Sequence, residues 1–271
     1  MGSTITEPGI YHGLTYTEYD AIDAIRSSDI RNALVSAKRY RARRDRPLPD
    51  SPAFRKGRAV HTGVLEPLQF LEEYARWEGD RRSKAYKEWA AEQGSKTILT
   101  AAEYDEVKAM ATAARSHKVA RRILSNGDAE VTVVWRDDET GLLCKARPDW
   151  VNGDLADVKT ARDIEARLFN ASIARYGYHV QLAYYQDGLK VCDGNDRRVY
   201  IVAIESGHPH DVAVYALPWM MLSEGRDQYR MGLDIIARAE ASGEFRGYAP
   251  DEAIPAELPA WAVAEEEEEA A

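Results

Sequence analysis

Cysteine is scarce in this chain of 271 residues, with Cys144 and Cys192 the only two. Two thiols give no disulfide framework, no CxxC metal pair and no four-cysteine iron–sulfur site. No apolar run approaches the roughly 18–20 residues that a membrane-spanning helix needs, and Met1-Gly2-Ser3-Thr4 does not open a signal peptide. The expectation is a cytoplasmic protein in a reducing setting with no membrane partner. His61-Thr62-Gly63-Val64-Leu65-Glu66 lacks the second histidine of zinc peptidase motifs, which removes that class.

Basic residues are missing from one place in particular. Residues 251–271 hold Asp251, Glu252, Glu257 and Glu265 to Glu269 with no lysine or arginine. That segment carries −8 of the net charge of −9, so the rest of the chain is nearly neutral. Within the rest, positive charge is bunched at Lys38, Arg39, Arg41, Arg43, Arg44 and Arg46, then at Arg55, Lys56 and Arg58. Local field rather than total charge steers a polyanion, so the acidic balance does not exclude a nucleic-acid partner. The acidic residues 246–271 read as a disordered tail that aids solubility. A hydrophobic content of 45% and a charged content of 30% are ordinary for a globular protein with a real core.

Helical spacing dominates the first half. A helix starts near Ser27-Ser28-Asp29 and runs through the basic stretch to the prolines at 47, 49 and 52; another covers Phe54 to Leu65 and stops before Pro67. Residues 83–93 are helical, and the capping box Thr100-Ala101-Ala102-Glu103 opens a long helix to about Leu124. Alternation then takes over. Strands are expected at 130–135, 142–150 and 154–159, followed by helices at 163–175 and 177–190, strands at 197–205 and 211–217, and a helix at 218–241. The fold class is α+β, with an N-terminal helical part (1–127), a sheet-containing core (128–245) and the tail (246–271).

The most telling stretch runs from Arg147 to Thr160. Asn152-Gly153 predicts a two-residue hairpin turn with positive φ at both positions. Asp157 and Lys159, two apart on a strand, share a face, and Asp149 lies across the turn. Two carboxylates beside an ammonium can hold a hard divalent cation and position a water, which suits phosphodiester hydrolysis. Each residue also has a plainer use, since aspartate favours turns and a lysine can serve only as a counter-ion.

Pro148-Asp149 followed by Asp157-Val158-Lys159 resembles the PD-(D/E)XK nuclease superfamily. Gly57-Arg58-Ala59-Val60-His61 is similar to the helical histidine motif of RecE-type (exonuclease VIII) enzymes, in the branch that includes the RecB nuclease domain and phage lambda exonuclease. Tyr178-His179-Val180-Gln181-Leu182-Ala183-Tyr184-Tyr185 resembles that branch's QxxxY motif. The resemblance spans about residues 15–240 and implies a PD-(D/E)XK core, a mixed central sheet flanked by helices.

It also implies a site. Asp149, Asp157 and the backbone carbonyl of Val158 would bind Mg²⁺, for which Mn²⁺ would substitute, with His61 as a further ligand and Glu130 an additional candidate. One or two ions fit equally well. Lys159 would position the attacking water; Gln181 and Tyr185 would bond the scissile phosphate or orient Lys159. The cluster-bearing subtype of the branch is excluded by the two cysteines. Arg39, Arg41, Arg43, Arg44, Arg58 and Thr160 are candidates for contacts with DNA, and Arg26 and Arg31 for a 5′-phosphate pocket. By resemblance the activity is a processive 5′-to-3′ exonuclease on linear double-stranded DNA ends. Such a phage recombination enzyme would leave 3′ tails for a RecT-like single-strand annealing protein and work as a homo-oligomeric ring, a trimer or tetramer. A RecB-like single-strand or structure-specific nuclease is the alternative. So is a DNA-binding module with a decayed site, against which the intact Asp149, Asp157 and Lys159 argue.

Overall fold

Near residue 128 the sequence changes from helical spacing to alternation, and the main sheet begins there, although three short strands that the helical spacing gave no sign of precede it. The computed structural model describes residues 5–46, 51–248 and 253–258. β1 (Gly9–Tyr11) and α1 (Tyr16–Ala21) precede α2 (Ser27–Val35), α3 (Ala37–Asp45), α4 (Pro52–Leu65) and α5 (Pro67–Glu73). β2 (Tyr74–Trp77), α6 (Lys84–Glu92), β3 (Thr97–Thr100), α7 (Ala101–Ser116) and α8 (Lys118–Ile123) complete the first half. The second half holds β4 (Asp128–Ala129), β5 (Thr132–Arg136), β6 (Leu143–Ala146), β7 (Trp150–Val151) and β8 (Asp154–Ala161). α9 (Ala166–Tyr176) and α10 (Tyr178–Asp193) then cross to β9 (Arg198–Glu205), β10 (Val212–Ala216) and α11 (Trp219–Ser242).

The architecture is α+β. A five-stranded sheet in the order β10-β9-β8-β7-β4 is mixed, with β8 and β9 parallel and the other pairs antiparallel. Parallel neighbours need a long crossover, which α9 and α10 supply. β1, β5 and β6 form a separate three-stranded sheet, and β2 and β3 a parallel pair. Period-two alternation divides the core. Leu155, Val199, Ile201 and Ala203 face a cluster with Phe169, Leu182, Leu189, Leu233 and Ile236. Val158, Val202 and Ile204 face the opposite cluster, which contains Val60, Val64, Val107 and Met110. Thus α9, α10 and α11 cover one face of the main sheet, and α4 and α7 the other.

Several expected elements are divided. The strand at 142–150 is two strands in two sheets. Pro148 has no N–H to continue a ladder, so the chain leaves the first sheet after Ala146 and joins the second at Trp150. The helix expected through residues 27–46 breaks at Ser36, which is extended (φ −173°, ψ 151°) and caps α3 by accepting from the Arg39 N–H. The long helix from Thr100 begins at its capping box, with Thr100 N–H donating to Glu103 at 2.8 Å, but breaks at extended His117. Neither Asn152 nor Gly153 has positive φ. Instead Asn152 Oδ1 accepts the Asp154 N–H at 2.7 Å while its amide nitrogen donates to the carbonyls of Ile123 and Ser125. The side chain closes the turn, so no left-handed residue is needed. Pro47 and Pro49, and the tail at 249–252 and 259–271, lie outside the described residues.

One buried lysine fastens the N-terminal segment to the sheet. Lys145 on β6 donates to the carbonyls of Tyr19 (2.9 Å), Asp20 (3.1 Å) and Ile22 (2.7 Å), satisfying the carbonyls that the end of α1 leaves open. Burial pushes its amine down to about 8.

A close helix crossing makes a stability prediction. A Cβ on Gly225 of α11 would stand 2.4 Å from the His179 carbonyl oxygen of α10, which no rotamer change can relieve. Gly225→Ala should lower unfolding free energy by about 2 kcal/mol or more. Gly57→Ala, inside α4 with open space around it, should raise it by up to about 1 kcal/mol. Urea denaturation of both variants checks the pair.

Candidate functional site

The site forms at an unpaired sheet edge. β7 pairs with β8 at Trp150↔Ala156 and Val151↔Leu155 and then ends, leaving the edge of β8 from Asp157 onward open on that side. Asp149, in the joint that follows Pro148, closes part of it: one of its oxygens, Oδ2, accepts the Val158 N–H at 2.7 Å. A strand residue points its N–H and C=O to the same edge, so the Val158 carbonyl expected as a ligand is on the Asp149 side. Asp149 is buried, and its backbone carbonyl accepts the Glu130 N–H at 3.1 Å.

His61 arrives from the other face of the sheet. Ala59, Val60, Val64 and Leu65 bury one side of α4, while the His61 side chain keeps 25% of its surface and sets Nδ1 3.3 Å from Asp149 Oδ2. Glu130 does not begin a strand as expected. It sits between β4 and β5 with φ +52°, a conformation uncommon outside glycine. Its carboxylate is held by Arg147 Nε at 2.7 Å, and Arg147 also donates to the Leu14 carbonyl. One ligand atom from each of His61, Glu130 and Asp149 lies within 4.8 Å of the others.

Asp157 and Lys159 lie beside this cluster on the α9–α10 side of β8. They form an ion pair with each other, and Asp157 is 1% exposed. Asp157, expected as a ligand together with Asp149 and the Val158 carbonyl, is not part of the His61, Glu130 and Asp149 cluster. Its attachment to Lys159 is the local reason. The Lys159 ammonium also lies 5.1 Å from the Tyr178 ring centroid. Gln181 Nε2 donates to the Tyr185 hydroxyl at 3.1 Å, and Ser27 at the start of α2 hydrogen-bonds the same tyrosine. All the motif residues therefore meet at one edge of the sheet.

Electrostatics sort the carboxyls. Burial, then the Asp149 charge, pushes Asp157 up to about 6 against the pull of Lys159. Burial and Asp149 push Glu130 to about 7 despite His61 and Arg147. Asp149 goes the other way: burial opposes its ionisation, but His61, Lys159 and the Val158 N–H hold it below the usual carboxylate range. Burial disfavours charge on Lys159 as well, yet Asp157 and Asp149 hold the ammonium above its usual range. Burial pushes the Tyr185 hydroxyl to about 12.

These residues fit a divalent cation. Among the described residues the Lys159 ammonium is the one partner of the Asp157 carboxylate, at Oδ2, and Oδ1 has none, so this buried carboxylate is undercompensated. Carboxylate and carbonyl oxygens suit Mg²⁺; the imidazole of His61 adds a donor that Mn²⁺ accepts well.

The basic residues expected to meet DNA are divided. Arg44 pairs with Asp23 and Asp29, and Arg41 with Asp45 while its guanidinium covers the Phe245 ring. Arg26 pairs with Asp20. Arg39 donates to the Asn32 side chain, Arg43 is half-buried, and Arg31 donates to the Tyr176 carbonyl. Arg58 is exposed on α4 one turn before His61, and Thr160 follows Lys159 on β8. Arg147 and Ser27 were not foreseen as site residues, because a chain-local pattern carries no sign of a hydrogen bond to Glu130 or Tyr185.

A family model described as "PDDEXK-like domain of unknown function (DUF3799)" matches residues 27–249. A crystal structure from Eubacterium rectale, named "Putative exonuclease", shares the fold with a TM-score of 0.61 and 13% identity, covering 92% of this chain and 97% of that one. No curated protein matches the chain.

The raised carboxyl of Asp157 has a sign that can be measured. The folded chain holds that proton more tightly than the unfolded chain, so the associated stability is present below about pH 4 and is lost as pH rises through about 6. In EDTA, Asp157→Asn should become more stable than wild type as pH rises across that window, by up to about 3 kcal/mol. Mn²⁺ should cancel the advantage by stabilising the wild type. Chemical denaturation at several pH values reads it; a difference that does not vary with pH would disprove burial as the cause.

Proposed function

The chain belongs to the PDDEXK-like domain family, and from that membership we propose that it is a divalent-cation-dependent deoxyribonuclease. The observation that carries this reading is the convergence of His61, Glu130 and Asp149 within 4.8 Å beside the Asp157–Lys159 pair. Asp149, Glu130, Asp157, His61 and the Val158 carbonyl are the groups that would hold the cation. When bound, it supplies Lewis acidity at the phosphate and offsets the charge that builds on the departing oxygen.

The chain's own groups do the rest. Lys159 stays protonated near neutrality, so it orients a water by donating to it and cannot take its proton. Asp157 and the face of Tyr178 hold that ammonium in place. The Tyr185 hydroxyl, held by Gln181 and also protonated at neutral pH, donates a hydrogen bond to the phosphate or to the water. Arg147 fixes the rotamer of Glu130.

The finer reading is a 5′-to-3′ processive exonuclease on linear duplex DNA that leaves 3′ tails for a RecT-like annealing protein. It rests on the likeness of the His61 and QxxxY motifs to RecE-type enzymes, and the name of the Eubacterium rectale protein supports exonuclease action. Processivity in that reading comes from a homo-oligomeric ring around the duplex.

Linear duplex should lose its 5′-ended strand in Mg²⁺ or Mn²⁺, but not in EDTA, while closed circular DNA stays intact. Asp149→Ala, Asp157→Ala and Lys159→Ala should each reduce the rate by at least about 100-fold. No loss of strands in Mg²⁺ or Mn²⁺ would remove the nuclease assignment, and equal activity in EDTA or in these variants would remove the metal site. Cleavage of closed circles would leave a nuclease but not an exonuclease.

A further inference from the structure

Beyond the catalytic cluster, a cleft of about 480 Å³ opens where β8 ends, between Thr160 to Asp163 and the last turns of α9. Its volume is in the range of sites for small ligands, roughly 300–1,000 Å³. It adjoins the cluster, because Tyr178 lines the cleft and its ring also lies 5.1 Å from the Lys159 ammonium.

The lining combines two chemistries. Tyr176 and Tyr178 stack with ring centroids 5.7 Å apart and planes inclined by 28°, and the Tyr176 side chain is about half exposed. Gly177 makes this possible: with φ +65° it ends α9 and starts α10 in one residue, setting both tyrosines at the mouth. The second chemistry is positive charge held in no ion pair among the described residues. Arg162 and Arg175 line the cleft, and neither has a carboxylate partner among the described residues; Arg175 lies against the Tyr176 ring at 5.8 Å. Arg31 donates one N–H to the Tyr176 carbonyl and likewise has no carboxylate partner among the described residues. This contrasts with Arg41, Arg44, Arg147, Arg198 and Arg230, all paired with acids. The one acid in the lining, Asp163, has an oxygen turned to the Glu165 N–H at 2.9 Å.

We propose that this cleft is a subsite for single-stranded DNA, holding one nucleotide of the strand that enters the catalytic edge. The base stacks on the Tyr176–Tyr178 pair, and the flanking phosphates meet Arg162 and Arg175. Stacking on a π-face together with unpaired guanidinium groups is the chemistry that recognises a single strand without reading its sequence. The subsite rests on the nuclease reading for what happens to the strand, but not for its capture.

The test is fluorescence anisotropy of a short labelled oligothymidylate with the full chain in EDTA, where hydrolysis does not interfere. Tyr176→Ala should weaken binding by roughly 5- to 100-fold. The double variant Arg162→Ala/Arg175→Ala should weaken it and reduce the slope of log affinity against log salt by about 1.4. On an abasic oligomer with the same phosphates, Tyr176→Ala should bind like wild type, while the arginine variant should still be impaired. Arg238→Ala, an exposed residue of α11 paired with Asp234, is the control and should change nothing. Wild-type affinity in the cleft variants, or an equal loss for Tyr176→Ala on the abasic oligomer, overturns the subsite. If wild type fails to cleave in Mg²⁺ or Mn²⁺ but the binding pattern holds, the nuclease reading falls and the subsite stands. If cleavage occurs and the cleft variants bind normally, the reverse follows.

Discussion

Asp149 is the residue on which the site depends, because it joins three segments that share no local sequence. Its carboxylate accepts the Val158 N–H at the open edge of β8 and pairs with His61 from α4, and its backbone carbonyl accepts the Glu130 N–H. A buried carboxylate is costly unless it is fully used, and this one is used by a strand and a helix at once, while the backbone of the same residue holds the joint between β4 and β5. That also explains why Asp149 alone of the site's carboxyls is easily ionised, while Asp157 and Glu130 resist charge. The uneven distribution leaves two acidic groups whose charge needs a further positive partner.

The open edge has a structural cause in Pro148. A strand running uninterrupted from Leu142 to Trp150 would stay in one sheet and pair along its whole length. Proline interrupts the ladder, the chain transfers between sheets, and the short β7 covers only the start of β8. Backbone groups beyond Ala156 are thereby free for side chains such as Asp149. An edge that would invite association in another protein is here occupied by charged chemistry.

Much of this was legible in the sequence, and what was not has identifiable reasons. The shift from helical spacing to alternation near residue 128 located the sheet, and the two-residue period put Asp157 and Lys159 on one face. The capping box at Thr100 was read correctly because its bonds are local. Errors came where a tertiary contact overrides a local rule. Asn152-Gly153 forms a tight reversal without positive φ because the Asn152 side chain is anchored to the carbonyls of Ile123 and Ser125. Similarly, the run Arg39 to Arg44 looked like a field for a polyanion, but Asp23, Asp29 and Asp45 take up Arg41 and Arg44. Which positive charges remain available is a property of the fold and not of composition.

The joint at Asp149 also orders events during synthesis. His61 is made early, Glu130 and Asp149 midway, and the β9 strand that seats β8 is made later still. A nascent or truncated chain ending before β9 has the acidic residues without the sheet that holds Asp157 and Val158 in position. The full set of groups is therefore brought together only once β9 has been made and has paired with β8.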